Sequence, residues 1–104
     1  MKVLKEDEVN GKTNGSSFKG YIKATYNDLV RALGEPTYSE PSGDDKVQKE
    51  WVVEFKGNVF TIYDWKTFNP EYTMTKLDEF NIGGRVSATE FIETLENKIK
   101  ELEE

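Results

Sequence analysis

The chain is read as one α+β domain, in which a small antiparallel sheet of three to four strands is packed by a short helix and a longer C-terminal helix. Three observations predict it. Apolar residues recur at helical spacing in two separated stretches, and they alternate with polar ones between residues 47 and 65. The chain has only 104 residues, and a domain of that size buries about two-thirds of the surface its unfolded form exposes, so one modest core spanning residues 1–104 is expected. Hydrophobic residues make up 36% and include six Phe, five Tyr and two Trp, enough to close that core despite 33% charged residues.

Residues 10–20 form a Gly/Ser/Asn-rich loop that runs into a short extended piece, Phe18 to Lys23. Thr25 followed by Asp28 reads as a capping box, with Asp a shorter partner than the usual Glu. Tyr26, Leu29, Val30 and Leu33 then make an apolar stripe on a short helix that Gly34 and Pro36 end. The polar stretch 39–46 is a loop. Val47, Trp51, Val53 and Phe55 alternate with Gln48, Glu50 and Glu54, Lys56-Gly57-Asn58 turns the chain, and Val59 to Trp65 returns as the second strand of a hairpin. That second strand is apolar or aromatic on both faces, so both are expected to be covered. Residues 66–79, with Asn69-Pro70, read as a long connection of the kind that often carries function. Phe80 to Gly84 reads as a short strand ending in a turn. Ser87 and Glu90 read as a capping box for a helix over about 88–103, with Phe91, Ile92, Leu95, Ile99 and Leu102 on one face.

The chain has neither Cys nor His. Disulfides, thiolate or imidazole catalysis and ordinary zinc sites are therefore closed to it, no metal or cofactor is expected, and only carboxylate, Tyr or Lys chemistry is left. Met1 to Asn10 lacks the apolar run of a signal peptide, and no segment reaches the ~20 apolar residues of a membrane span, so a cytoplasmic protein is expected. The net charge of −6 is uneven: residues 90–104 hold six Glu against Lys98 and Lys100, whereas residues 9–27 hold no acid and three lysines, Lys12, Lys19 and Lys23.

Four candidate sites follow. In the loop before the first helix, Lys12, Lys19 and Lys23 lie among glycines, Ser16, Ser17 and Tyr26, residue types whose amides, hydroxyls and charge suit a phosphate; a solvated loop is the plainer account. No Walker spacing occurs. At the hairpin end, Tyr63 and Trp65 share one face and Asp64 and Lys66 the other, so two rings are placed to stack on a base, unless both are core. Gly83-Gly84-Arg85 offers amides and a guanidinium before a helix, or is simply a turn. The acidic last helix offers a protein-binding surface, or a solvated face.

The runs Ser16–Ile22, Thr25–Val30, Gly34-Glu35-Pro36, Glu50–Phe55, Thr61-Ile62-Tyr63-Asp64-Trp65-Lys66 and Ile82-Gly83-Gly84 together resemble a family of small tailed-phage proteins. Within these, the chain is similar to the phage anti-CBASS sponge proteins. That resemblance implies capture of a cyclic dinucleotide such as 3′,3′-cyclic GMP-AMP without hydrolysis, assembly as a dimer or tetramer, and action in the cytoplasm of an infected bacterium. Such a ligand needs cations, amides and aromatic planes at one place. Lys19, Lys23 and Arg85 are expected at phosphates, Ser17 and Thr61 at hydrogen bonds, Tyr26, Tyr63 or Trp65 at the bases, and Lys66 among the residues that bind the ligand. A nucleic acid polymer is not expected as partner. The competing reading is a phage inhibitor that binds a host protein through its acidic C-terminal helix. An enzyme is the least favoured reading, because Asp44 and Asp45 sit in a polar loop with no evident partner.

Overall fold

In the computed structural model, which describes residues 1–103, the hairpin lies in the middle of a sheet with both neighbours in place. In chain order the elements are β1 (Lys2–Val3), α1 (Glu6–Val9), β2 (Ser17–Lys23), α2 (Tyr26–Leu33), β3 (Glu50–Phe55), β4 (Asn58–Tyr63), α3 (Pro70–Thr75), β5 (Glu79–Gly84) and α4 (Thr89–Glu103). The α+β class is as expected, but the sheet has five strands rather than three or four, in the order β1-β3-β4-β5-β2, and every pairing is antiparallel. The extra strand is β1, two residues long. Leu4 follows it and, with Val9 of α1, packs on Val52 in a small second core, so this segment is held by burial rather than by its own propensity.

Alternation along the strands divides the sheet into two faces. Ile22, Trp51, Val53, Phe60, Ile62, Phe80 and Ile82 face α2 and α4 and join Leu29, Ala32, Phe91, Leu95 and Ile99 in the main core. The Phe60 and Phe91 rings stack there at 4.6 Å. The opposite face is covered only in part. Val52 and Val59 lie under the N-terminal segment, whereas the residues nearer β2 have no layer over them.

Two local signals act as the sequence implies. Thr25 Oγ1 accepts from the Asp28 amide at 3.1 Å while Asp28 Oδ2 accepts from the Thr25 amide at 3.0 Å, closing the capping box of α2. Lys56 and Gly57, both at positive φ (50° and 81°), form the two-residue loop that the twist of a hairpin favours. The capping box expected on α4 does not form. Ser87 Oγ accepts from the Thr89 amide at a long 3.4 Å, and Glu90 is drawn instead into an ion pair with Lys56.

The long connection is also more ordered than expected, because it contains α3. Asn69 caps this helix, with Oδ1 accepting from the Glu71 amide at 2.9 Å, and Pro70 stands at its first turn, where no amide is needed. The connection is tied down by Asp64, which is 1% exposed. Asp64 Oδ1 accepts from the amides of Gln48 and Lys49 at 2.8 and 2.9 Å, and Oδ2 from the hydroxyls of Thr67 and Thr73 at 2.7 and 2.9 Å. No helix among the described residues is long and apolar enough to cross a membrane.

Candidate functional site

Register builds a row of side chains across the uncovered part of the sheet. Tyr21 of β2 opposes Asn81 of β5, Asn81 opposes Tyr63 of β4, and Tyr63 opposes Glu50 of β3. The next row on the same face runs Phe18, Gly83, Thr61, Val52. Phe18 reaches this face because the register of β2 shifts between Phe18 and Gly20, a bulge that turns Lys19 out of the pairing. A Cβ on Gly83 would lie 2.7 Å from Thr61 Oγ1, so this position needs glycine, and its missing side chain leaves a hollow between Phe18 and Thr61.

The two rows enclose two adjoining clefts that share Phe18 and Tyr63. One, of about 280 Å³, is walled by Phe18, Tyr21, Tyr63, Trp65 and Asn81. The other, of about 300 Å³, is lined by the hydroxyl residues Thr13, Ser16, Ser17 and Thr61 and by Glu50 beside the two rings. Phe18, Tyr21 and Trp65 are 50%, 55% and 49% exposed, an unusual concentration of uncovered aromatic surface for so small a chain. The Phe18 and Tyr21 rings meet edge to face at 4.9 Å, and those of Tyr63 and Trp65 at 6.3 Å. Burial pushes the Tyr63 hydroxyl above its ordinary pKa, so it stays a neutral donor at physiological pH. The ammonium groups of Lys46 and Lys66 lie 5.9 and 5.7 Å from the centre of the Trp65 ring.

Thr61, Tyr63, Trp65 and Lys66, all expected at a site, are therefore brought together on this face, whereas Ser17 borders the cleft but pairs with Gly84, in the row of Phe60. Strict alternation would send Lys66 to the far side. It returns to Trp65 because its backbone is left-handed, with φ of 57°. Lys23 is exposed at the end of β2, opposite Glu79, and Lys19 stands at the bulge; both are on the edge strand rather than in the clefts. The remaining two expectations take other places. Tyr26 lies on α2, where its ring packs 5.7 Å from that of Trp51 on the helix-covered side. Arg85 donates to the carbonyl oxygens of Asn14 and Gly11 and so ties down the loop before β2. Gly83 and Gly84 are strand residues rather than a phosphate-binding turn, since the Gly84 Cβ position is taken by the Phe60 ring at 2.8 Å.

Glu50 is the member of the site that sequence reading left in the role of a polar strand residue. Burial first, and the nearby Asp64 charge second, push its carboxyl above the ordinary glutamate range. Its carboxylate has no hydrogen bond or ion pair among the described residues, whereas Asp64 has four donors. Glu50 also lines a larger cleft of about 420 Å³ near Tyr38, but that cleft brings in Glu6 and Glu40 and no lysine, and so disfavours a phosphate. No group of three or more carboxylates among the described residues is placed to hold a metal ion. Comparison of the chain with family models, with curated proteins and with solved structures finds no match.

Proposed function

We propose that this chain binds a cyclic dinucleotide on the open face of its sheet and holds it intact, as a phage protein that sequesters a host defence signal in the infected cell would. The observation that carries this reading is the pair of adjoining clefts with Phe18 and Tyr63 as common walls. Each is at the lower end of the range for ligand sites, the size for one planar group rather than a whole cofactor. A ligand with two bases and two phosphates matches two ring-walled clefts with Lys46 and Lys66 beside one of them, and each base–ring stack supplies about 1–3 kcal/mol. Retention without cleavage is supported by the state of the acids. Asp64, the acid whose charge adds to burial in raising the Glu50 pKa, has its oxygens occupied by Gln48, Lys49, Thr67 and Thr73 and so is not free to activate water beside it.

The half-exposed rings leave the outer side of such a ligand uncovered, and a nearly two-fold-symmetric ligand can be closed by the same face of a second copy. The competing reading, an acidic docking helix, has less support. Among the α4 carboxylates Glu90 pairs with Lys56 and Glu103 with Arg31, and Leu102 is the large apolar side chain of α4 that is exposed. Titration of the protein with 3′,3′-cyclic GMP-AMP, followed by heating and recovery of the nucleotide, tests the proposal. Submicromolar binding with intact release is expected, with two chains per ligand by ultracentrifugation. Trp65→Ala should weaken binding by about tenfold or more, the worth of one stack. Absence of heat with cyclic GMP-AMP, cyclic di-GMP and cyclic di-AMP alike would overturn it.

A further inference from the structure

We infer that Glu50 makes this site selective for guanine, taking the Watson–Crick edge of a guanine base held between Phe18 and Tyr63. The inference rests on the nucleotide reading and adds which base is chosen. Three features carry it. Glu50 sits at the end of a cross-strand row, directly opposite Tyr63, and lines the hydroxyl-bearing cleft together with Phe18 and Thr61. It is partly buried, yet no side chain among the described residues donates to its carboxylate, so its complement is a ligand that brings donors of its own. Ionised, the group is an acceptor only, which rules on the bases by elementary chemistry. Guanine presents two adjacent N–H donors on its N1 and N2 that fit the two oxygens of a carboxylate, as a guanidinium does. Adenine presents an acceptor at N1, which a carboxylate repels, and cytosine and uracil present at most one donor group on that edge. The remaining polar atom of the guanine edge, O6, is an acceptor, and the cleft is lined by the hydroxyl residues Thr13 and Ser16, the latter with no partner for its Oγ among the described residues.

A metal ion is a poorer complement, because Glu50 belongs to no cluster of three ligating groups among the described residues. An ordinary glutamate in water would offer the same two oxygens; at the partly buried Glu50 a base stacked between Phe18 and Tyr63 would itself displace the water that competes, and so let the pairing discriminate.

The experiment is calorimetric titration of the full chain, and of Glu50→Gln, with cyclic di-GMP, 3′,3′-cyclic GMP-AMP and cyclic di-AMP. Expected affinity falls in that order, with cyclic di-GMP at least about tenfold tighter than cyclic di-AMP, the discrimination of one bidentate pair. In Glu50→Gln the guanine ligands should lose about tenfold or more, while cyclic di-AMP holds or gains, because the Gln amide can donate to N1 and accept from the N6 amino group. Unfolding of both proteins is followed in parallel to show that the substitution leaves the fold in place. Binding of all three ligands with equal affinity, sensitive to Trp65→Ala but indifferent to Glu50→Gln, would overturn guanine selection and leave the nucleotide site standing. Binding of none would overturn both.

Discussion

Asp64 and Glu50 lie close enough for the charge of one to shift the titration of the other, yet they have opposite relations to their surroundings. The four donors on Asp64 come from residues 48, 49, 67 and 73, so one carboxylate joins the segment before β3 to the connection after β4. Asp64→Ala leaves those donors unpaired in a buried place and should destabilise the protein by about 3 kcal/mol. Asp64→Asn keeps one oxygen for the amides and turns an NH2 toward the hydroxyls, and should cost about 1 kcal/mol, with urea unfolding as the measurement for both. Glu50 has no such donors, and its burial ties stability to pH. Its folded pKa lies above the unfolded one, so the native state binds more protons and stability falls as pH rises from the ordinary glutamate pKa through the raised one. Glu50→Gln removes that slope. Its stability should match the parent at acid pH below the ordinary glutamate pKa and exceed it at neutrality, a difference that cancels the opposite pH dependence of Asp28, whose hydrogen bonds from Thr25 and Arg31 outweigh burial and lower its pKa.

Elements that carry their own signal were legible in the sequence, and those held by distant contacts were not. α2 has an apolar stripe, a capping box and a glycine end, and the β3–β4 hairpin has alternation on both sides of a two-residue turn. β1 and α1 have two and four residues and depend on Val52 for burial, which no local pattern announces. α3 was misread for another reason: Asn69-Pro70 serves turns and helix starts alike, and what decides is Thr73 reaching the Asp64 carboxylate. The two helix starts make a test at this scale. Thr25→Ala opens a capping box with bonds of 3.0 and 3.1 Å and should cost about 1 kcal/mol. Ser87→Ala loses a long 3.4 Å contact from the Thr89 amide and an exposed 3.2 Å contact with the Thr89 hydroxyl, and should cost a few tenths, within about 0.5 kcal/mol of the parent by thermal unfolding.

Taken as a whole, the molecule has its acidic helix on one side of the sheet and its open aromatic face on the other. Phe91, Leu95 and Ile99 hold α4 on the face of Phe60 and Ile62, so alternation puts Thr61 and Tyr63 on the far side. The uneven charge was visible in the sequence, but not its direction through the fold, nor the fact that Phe18, Tyr21 and Glu50 join Tyr63 there, because that depends on registers among four strands. This arrangement sets the size of the ligand. A single-stranded polymer needs a continuous basic track, and its affinity falls steeply with salt because many counterions are released. Here the lysines near the rings, Lys46 and Lys66, are gathered around Trp65, and the acidic Glu50 stands close by, opposite Tyr63, so no basic track runs along the face. Two phosphates beside two lysines are screened only modestly, since the Debye length shrinks from about 14 to about 7 Å between 50 and 200 mM salt. The affinity for cyclic GMP-AMP should therefore drop less than about tenfold over that range, and an unstructured oligonucleotide should not displace it. Quenching of the exposed Trp65, with Trp51 buried out of the ligand's reach as a constant background, gives the readout. A loss of several hundredfold, or displacement by the oligonucleotide, would reassign the open face to a strand of nucleic acid.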